Sequence, residues 1–300
     1  MPSMHTGGEF LGLPPEACDR ARSRIVVLPI PYEATTTYGR GTRRGPDAIL
    51  AASLQVEFFD ELEGDEPCMR GIHTLPPLDC DGAPEDVVPR IRRATSELAG
   101  EGRFVLALGG EHTLTVGAAP GVASAVGALT VVQVDAHADL RDEYEGSPLN
   151  HACVMRRLAE DFPIVQVGVR AFSAEEAAFA SRRGIVAVPA HEIAASRSVA
   201  PETAEGAPWI QRVLGAIQGS RVYLTVDLDG LDPSVVPAVG TPDPGGLSWY
   251  ETLALIRALF KRKTVVAADV VELCPAAGTL RSDYAAARLA YKIAGHALRA

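Results

Sequence analysis

The sequence has no apolar run long enough to cross a membrane, no Cys-x-x-Cys pair and no excess of basic charge. Each absence removes a class of function. A membrane-spanning helix needs about 20 consecutive apolar residues. The start, Met1 to Gly12, is polar and lacks the basic stretch and apolar segment of a secretory signal. Five cysteines (Cys18, Cys68, Cys80, Cys153 and Cys274) are odd in number and argue for a reducing cytoplasm rather than a disulfide framework. Lysine and arginine total 28 against 38 acids, a net charge of -10, so nucleic acid is not an expected partner. The same balance favours small cationic ligands. No repeat, low-complexity tract or composition break divides the chain. With 47% hydrophobic and 22% charged residues it reads as one globular domain over residues 1–300, with residues 1–20 as an N-terminal extension.

What is present is an alternation of strand-like and helix-like segments. Strands are expected at Ile25–Ile30, Phe104–Leu108, Leu129–Val134, Ile164–Val169, Ile185–Val188, Val222–Val226 and Val265–Val271. Several are apolar on both faces, as buried parallel strands are. Helices are expected at Pro46–Phe58, Pro84–Ala99 (broken or kinked at Pro89), Ala174–Arg183, Trp209–Gln218, Trp249–Lys261 and Asp283–Leu298. Glu61–Asp81 and Ser196–Pro208 read as loops. The pattern predicts a mainly parallel sheet covered by helices on both faces, a three-layer α/β/α fold.

Two short stretches carry the chemistry. Asp135-Ala136-His137-Ala138-Asp139 and Asp227-Leu228-Asp229 each follow a β-branched apolar run. In extended chain, alternate residues share one face, so these side chains are expected to converge. Four carboxylates that close are costly unless cations lie between them. Oxygen donors mixed with imidazole suit manganese, nickel or zinc better than magnesium or calcium. Gly109-Gly110-Glu111-His112 reads as a tight turn leading into a helix, and adds His112 as a sixth ligand. In isolation each acid is an ordinary loop or capping residue, and a lone histidine is more often structural. Yet all these groups, with Glu272, fall at the carboxyl ends of expected strands, where ligands collect in open α/β sheets. His5, His73, His191 and His296 have no such context, and Cys153 and Cys274 read as small packing residues.

The succession Gly-Gly-Glu-His, Asp-Ala-His-Ala-Asp, Asn-His-Ala, Asp-Leu-Asp-Gly-Leu-Asp-Pro, Gly-Thr-Pro-Asp-Pro-Gly-Gly and Val-Glu-Leu-Cys-Pro resembles the ureohydrolases: arginases, agmatinases and formiminoglutamases. The resemblance runs from about Pro29 to the C-terminus and looks nearest to the agmatinase branch. It implies an arginase-like fold with two manganese ions. His112, Asp135, Asp139 and Asp227 would hold one, and His137, Asp135, Asp227 and Asp229 the other. It further implies that a hydroxide between the ions attacks the guanidinium carbon, giving urea and an amine. Asp139 would orient that nucleophile, His151 would carry a proton to the leaving amine, and Glu272 would pair with the guanidinium.

Two positions depart from the common family wording. Glu111 stands where aspartate is usual, and Val239 replaces a smaller residue; neither removes a ligand. The loop Leu140–Gly146 holds Asp142, Glu143 and Glu145 and lacks the Asn/Ser/Thr run with which arginases receive a carboxylate. Asp142, Glu143 and Asp243 are therefore expected to receive an ammonium, and agmatine, yielding putrescine for polyamine biosynthesis, is the expected substrate. The alternatives are 4-guanidinobutanoate, arginine or guanidine, or a single-zinc deacylase on a histone-deacetylase-like fold, which would need tandem histidines. A catalytically silent relative would need a lost ligand, and none is lost. The resemblance also implies a homo-oligomer, a trimer or hexamer, in the cytoplasm.

Overall fold

The computed structural model describes residues 8–196 and 204–300. His5 and the 197–203 part of the expected loop lie outside them. Eight strands form one sheet: β1 (Ile25–Ile30), β2 (Ile72–Thr74), β3 (Phe104–Gly109), β4 (Thr130–Val134), β5 (Ile164–Val167), β6 (Val186–Val188), β7 (Arg221–Asp227) and β8 (Thr264–Val271). Their order is β2-β1-β3-β8-β7-β4-β5-β6, with every pairing parallel. The helices among the described residues are α1 (Pro15–Cys18), α2 (Gly45–Ser53), α3 (Pro84–Gly100), α4 (Thr115–Val126), α5 (Val154–Leu158), α6 (Ala174–Arg183), α7 (Ala190–Ser196), α8 (Pro208–Ala216), α9 (Trp249–Arg262) and α10 (Arg281–Arg299).

The sheet is apolar on both sides because its strands alternate between two cores. Ile25 and Val27 of β1, Leu106 and Leu108 of β3, and Val222, Leu224 and Val226 of β7 pack with α2, α8, α9 and α10. Val26, Leu28 and Ile30, with Val105, Val131 and Tyr223, pack with α3, α4, α5 and α6. Burying each aliphatic side chain contributes roughly 1.5–3 kcal/mol, so neither helical layer is dispensable. In β8 a bulge at Val266 shifts the alternation: Val222 pairs with Val265 but Tyr223 with Ala267. The three-layer α/β/α fold expected from the sequence is the one observed.

Local departures have physical causes. Pro89 neither breaks nor ends α3, which runs unbroken from Pro84 to Gly100. It falls early in the helix, and the flanking apolar stripe (Val87, Ile91, Leu98) is buried against the sheet. The Glu61–Asp81 stretch contains β2, too short for a periodic signal, which pairs with β1 through Ile25 and Ile72. The presumed N-terminal extension is packed in: Phe10, Leu11, Leu13 and Ala17 are buried in the first core.

Candidate metal centre

The four central strands, in the order β3-β8-β7-β4, deliver the site side by side at their carboxyl ends. His112 follows β3, Glu272 follows β8, Asp227 closes β7, and Asp135, His137 and Asp139 follow β4. Convergence does not come from strand alternation, as the spacing suggested. β4 ends at Val134, and Asp139 sits in the left-handed region at φ 54°. Beyond Asp227 the chain makes a 3-10 turn (Leu228–Gly230), which Asp227 caps by accepting from the Asp229 N–H at 3.0 Å. Turns rather than pleats bring the acids together. Glu272 is also left-handed, at φ 67°, a conformation that costs about 1–3 kcal/mol and persists only where the surroundings impose it.

Two glycines make the convergence sterically feasible. A Cβ on Gly110 would lie 1.9 Å from the Tyr32 carbonyl oxygen, and one on Gly230 would lie 2.7 Å from the Asp135 nitrogen. The second contact is where the two ligand loops touch.

The donor atoms form two groups that share Asp135: His112 with Asp135 and Asp139, and His137 with Asp135 and Asp229. His112 Nδ1 lies 3.1 Å from Asp135, 3.1 Å from Asp139 and 3.3 Å from Asp227. His137 Nδ1 lies 3.0 Å from Asp229 and 3.6 Å from Asp135. Backbone donors steady the carboxylates: His137 N–H on Asp135 at 2.6 Å and Ala136 N–H on Asp229 at 3.0 Å. Gln133 donates to Asp135 at 2.6 Å and Thr241 to Asp229 at 3.1 Å.

The hydrogen bonding around His112 tests whether these residues fit a cation. Its Nε2 is 2.9 Å from the Thr225 hydroxyl, and Asp269, the register partner of Thr225 on β8, accepts from Thr115 at 2.8 Å and Tyr223 at 2.7 Å. With the Thr225 oxygen as acceptor, the ring proton sits on Nε2. Nδ1 is then a bare lone pair, buried without a hydrogen bond and facing three carboxylates. A divalent ion satisfies that arrangement, and the residues fit it.

Without the ion, protons take its place. Burial works against charge on His137, yet hydrogen bonds that its ring donates to Asp135 and Asp229 outweigh it and push its pKa to about 12. His112 is likewise pushed well up against the effect of burial, by Asp135, Asp139 and Asp227. Burial and then the Asp135 charge raise Asp139 to about 7. Burial, with Asp229 for one and Glu111 for the other, raises Asp227 and Glu272. Cation binding must displace these protons.

The donors open into a cavity of about 360 Å³ whose wall includes His137, Asp139, Asp227, Asp229, Glu272 and His151. Asp135 lies beneath, almost fully buried. His151 is depressed to about 4, by burial first and then by the neighbouring His137 and His112 charges. Glu272 accepts the His112 N–H at 2.6 Å. The three acids expected to meet an ammonium do not line the cavity. Asp142 is exposed and pairs with Arg157 at 2.5 Å and Arg156 at 3.4 Å; Glu143 is exposed; Asp243 lies 3.6 Å from Arg170. Polar loop residues followed solvent and nearby arginines instead. The wall holds Arg141, the one base of the loop Leu140–Gly146, and residues that the sequence did not single out: Glu176, Tyr144 and Phe172. Glu176 announces itself only as the third helical residue of a capping box with Ser173. That signature marks a helix start, not a cavity.

A model described as Arginase family matches residues 23–295. The chain is 40% identical to an N(1)-aminopropylagmatine ureohydrolase of Synechocystis sp., over 98% of this chain and 96% of that protein. It is 31% identical to an agmatinase of Pyrococcus horikoshii, over 91% and 92%. The crystal structure of agmatine ureohydrolase of Thermoplasma volcanium superposes with a TM-score of 0.82 at 30% identity, covering 92% of this chain and 90% of that one.

Proposed function

The chain belongs to the arginase family of ureohydrolases, and from that premise we propose that its substrate is a linear guanidino-polyamine, N(1)-aminopropylagmatine before agmatine. One observation carries the choice of a cationic tail. Glu176 is buried in the cavity wall, and its carboxylate accepts backbone N–H groups from Leu140 at 3.1 Å and Ser173 at 2.7 Å. An ionised carboxylate has about four lone-pair positions, so capacity remains for an ammonium. The 40% identity to an aminopropylagmatine ureohydrolase, against 31% to an agmatinase, supports our ranking of the longer substrate first.

His112, Asp135, Asp139 and Asp227 would hold one divalent ion, and Asp135, His137, Asp227 and Asp229 the other, with manganese as the proposed metal. Such a pair, when bound, makes water acidic enough to act as a nucleophile near neutral pH. The protein groups do the rest. Glu272 accepts two parallel N–H bonds from the planar guanidinium and fixes its carbon beside the acids. Asp139 accepts a hydrogen bond from the attacking water and orients it. Water adds to the guanidinium carbon, the bond from that carbon to the alkylated nitrogen breaks, and urea and an amine separate. His151, neutral at neutral pH because burial holds its pKa to about 4, accepts a proton and passes it to the leaving nitrogen. We also take the chain to act in the cytoplasm as a homo-oligomer; no helix among the described residues is long and apolar enough to cross a membrane.

A second reading, a guanidino acid such as 4-guanidinobutanoate, is favoured by Arg141, whose guanidinium lines the cavity over the Tyr144 ring at 4.9 Å. Urea release with manganese across N(1)-aminopropylagmatine, agmatine, arginine, 4-guanidinobutanoate and guanidine separates the readings. The polyamine guanidines should exceed the acids by about tenfold or more in kcat/KM, some 1.4 kcal/mol. Preference for 4-guanidinobutanoate, abolished in Arg141→Ala, would select the second reading. No urea from any of the five would defeat the hydrolase reading itself.

A further inference from the structure

The loop after β1 carries three successive threonines, Thr35, Thr36 and Thr37, the last of which lines the cavity. Two carboxylates hold it. Glu33 binds it from within, accepting from the Gly41 N–H at 2.6 Å, the Arg43 N–H at 3.1 Å and the Thr36 hydroxyl at 3.1 Å. Glu111 binds it from outside, reaching over from the turn after β3. Fully buried, Glu111 accepts from the Ala34 N–H at 2.7 Å, the Thr35 N–H at 2.6 Å and the Thr35 hydroxyl at 2.8 Å. An ionised carboxylate only accepts, so the Thr35 proton is committed to Glu111. The Thr35 oxygen is then free to receive the His151 N–H, at 3.0 Å. Two residues further along, the Thr37 hydroxyl stands 3.5 Å from His151 Nε2.

We infer that Glu111 and Thr35 are positioning residues for His151. The buried carboxylate orients one hydroxyl, that hydroxyl suspends the His151 backbone, and the same loop brings Thr37 to the ring. On its other flank the ring meets the Tyr144 edge, with centroids 6.5 Å apart. The extra methylene of glutamate at position 111 has a use here: it carries the carboxylate as far as two successive loop N–H groups. An aspartate would leave bonds now 2.6–2.8 Å long stretched beyond contact unless the loop moved. The inference rests on the ureohydrolase reading, in which His151 delivers a proton and touches neither the cations nor the substrate's tail. Misplacing it should therefore slow turnover without weakening binding.

The test compares manganese-loaded wild type with Thr35→Val, Thr35→Ser and Glu111→Gln. Valine keeps the volume and loses the hydroxyl; serine keeps the hydroxyl; glutamine keeps the shape and turns one acceptor into a donor. Thr35→Val and Glu111→Gln should lose between about tenfold and a hundredfold in kcat with KM within about twofold, and Thr35→Ser should retain near wild-type turnover. Amide hydrogen exchange, read without any substrate, should be faster at His151 in Thr35→Val than in wild type. Unchanged kcat in Thr35→Val, a KM effect without a kcat effect, or unchanged exchange at His151 would each overturn the inference. Absence of urea from the wild type would instead defeat the hydrolase reading, while the exchange measurement would still decide the Thr35–His151 contact.

Discussion

Thr225→Val probes how His112 is held ready for a cation. Thr225 is buried on β7 with its oxygen 2.9 Å from His112 Nε2. Its register partner on β8, Asp269, is held by Thr115 and Tyr223, at 2.8 and 2.7 Å. Valine has nearly the same shape, so packing survives and the hydrogen bond to His112 is lost. The Nε2–H of a histidine that is 1% exposed then has no partner. Leaving a buried donor unpaired costs about 1–3 kcal/mol. The ring can escape by moving its proton to Nδ1 or by rotating, and either removes the lone pair from the three carboxylates. The cost therefore appears in cation affinity, as a weakening of roughly 5- to 150-fold. That range overlaps the 10–100-fold effects typical of the groups behind metal-bound histidines. Competition with a calibrated chelator measures it directly, and unfolding of the ion-free protein separates fold damage from site damage. Manganese affinity within about twofold of wild type would refute the account of the His112 tautomer.

Two further predictions concern stability. His296 is buried on α10 against the Phe260 ring, and burial, then the Arg299 charge, lowers it from 6.5 to about 4. Its neutral form is favoured in the fold, so stability is full above pH 6.5 and falls as the pH drops towards 4, by about 3 kcal/mol from this residue; denaturant unfolding of His296→Phe should show a flatter pH dependence over that window. Lys292→Met should destabilise by about 3 kcal/mol in denaturant unfolding, because it strips the buried Asp60 of a cationic partner at 2.6 Å and leaves it the Arg299 contact at 3.2 Å and the Leu62 N–H at 3.1 Å.

The sheet was legible because buried parallel strands are apolar on both faces, and Ile25–Ile30 has the same bounds in the sequence reading and in the fold. The clustering of the six candidate ligand residues was legible because carboxylates and imidazoles at strand ends have few other reasons to crowd together. What spacing could not supply was their path. Asp139 arrives through a left-handed residue and Asp229 through a 3-10 turn, neither of which leaves a periodic trace. The tail of the cavity was misplaced for a related reason. Asp142 and Glu143 are adjacent to the metal loop in sequence, but arginines of α5 and solvent claim them. Glu176 enters the wall from a helix start 37 residues after Asp139 in the chain, because it caps that helix. Asp269 and Thr225 sit inside strands where one polar residue reads as a tolerated exception, and only the fold shows them side by side, with Thr225 against His112.

The position of β8 has a consequence for how this protein is made. It is the last strand to be synthesised, yet it lies in the middle of the sheet, between β3 and β7. Until it emerges, β2-β1-β3 and β7-β4-β5-β6 are two separate half-sheets, each with an open apolar edge. Such edges pair readily with other chains. The nascent chain therefore carries its greatest hazard of misassembly until residues 264–271 leave the ribosome. His112 on one half and the acids of β4 and β7 on the other stay apart until then, so the donor group that contains His112 is completed only once β8 joins the halves.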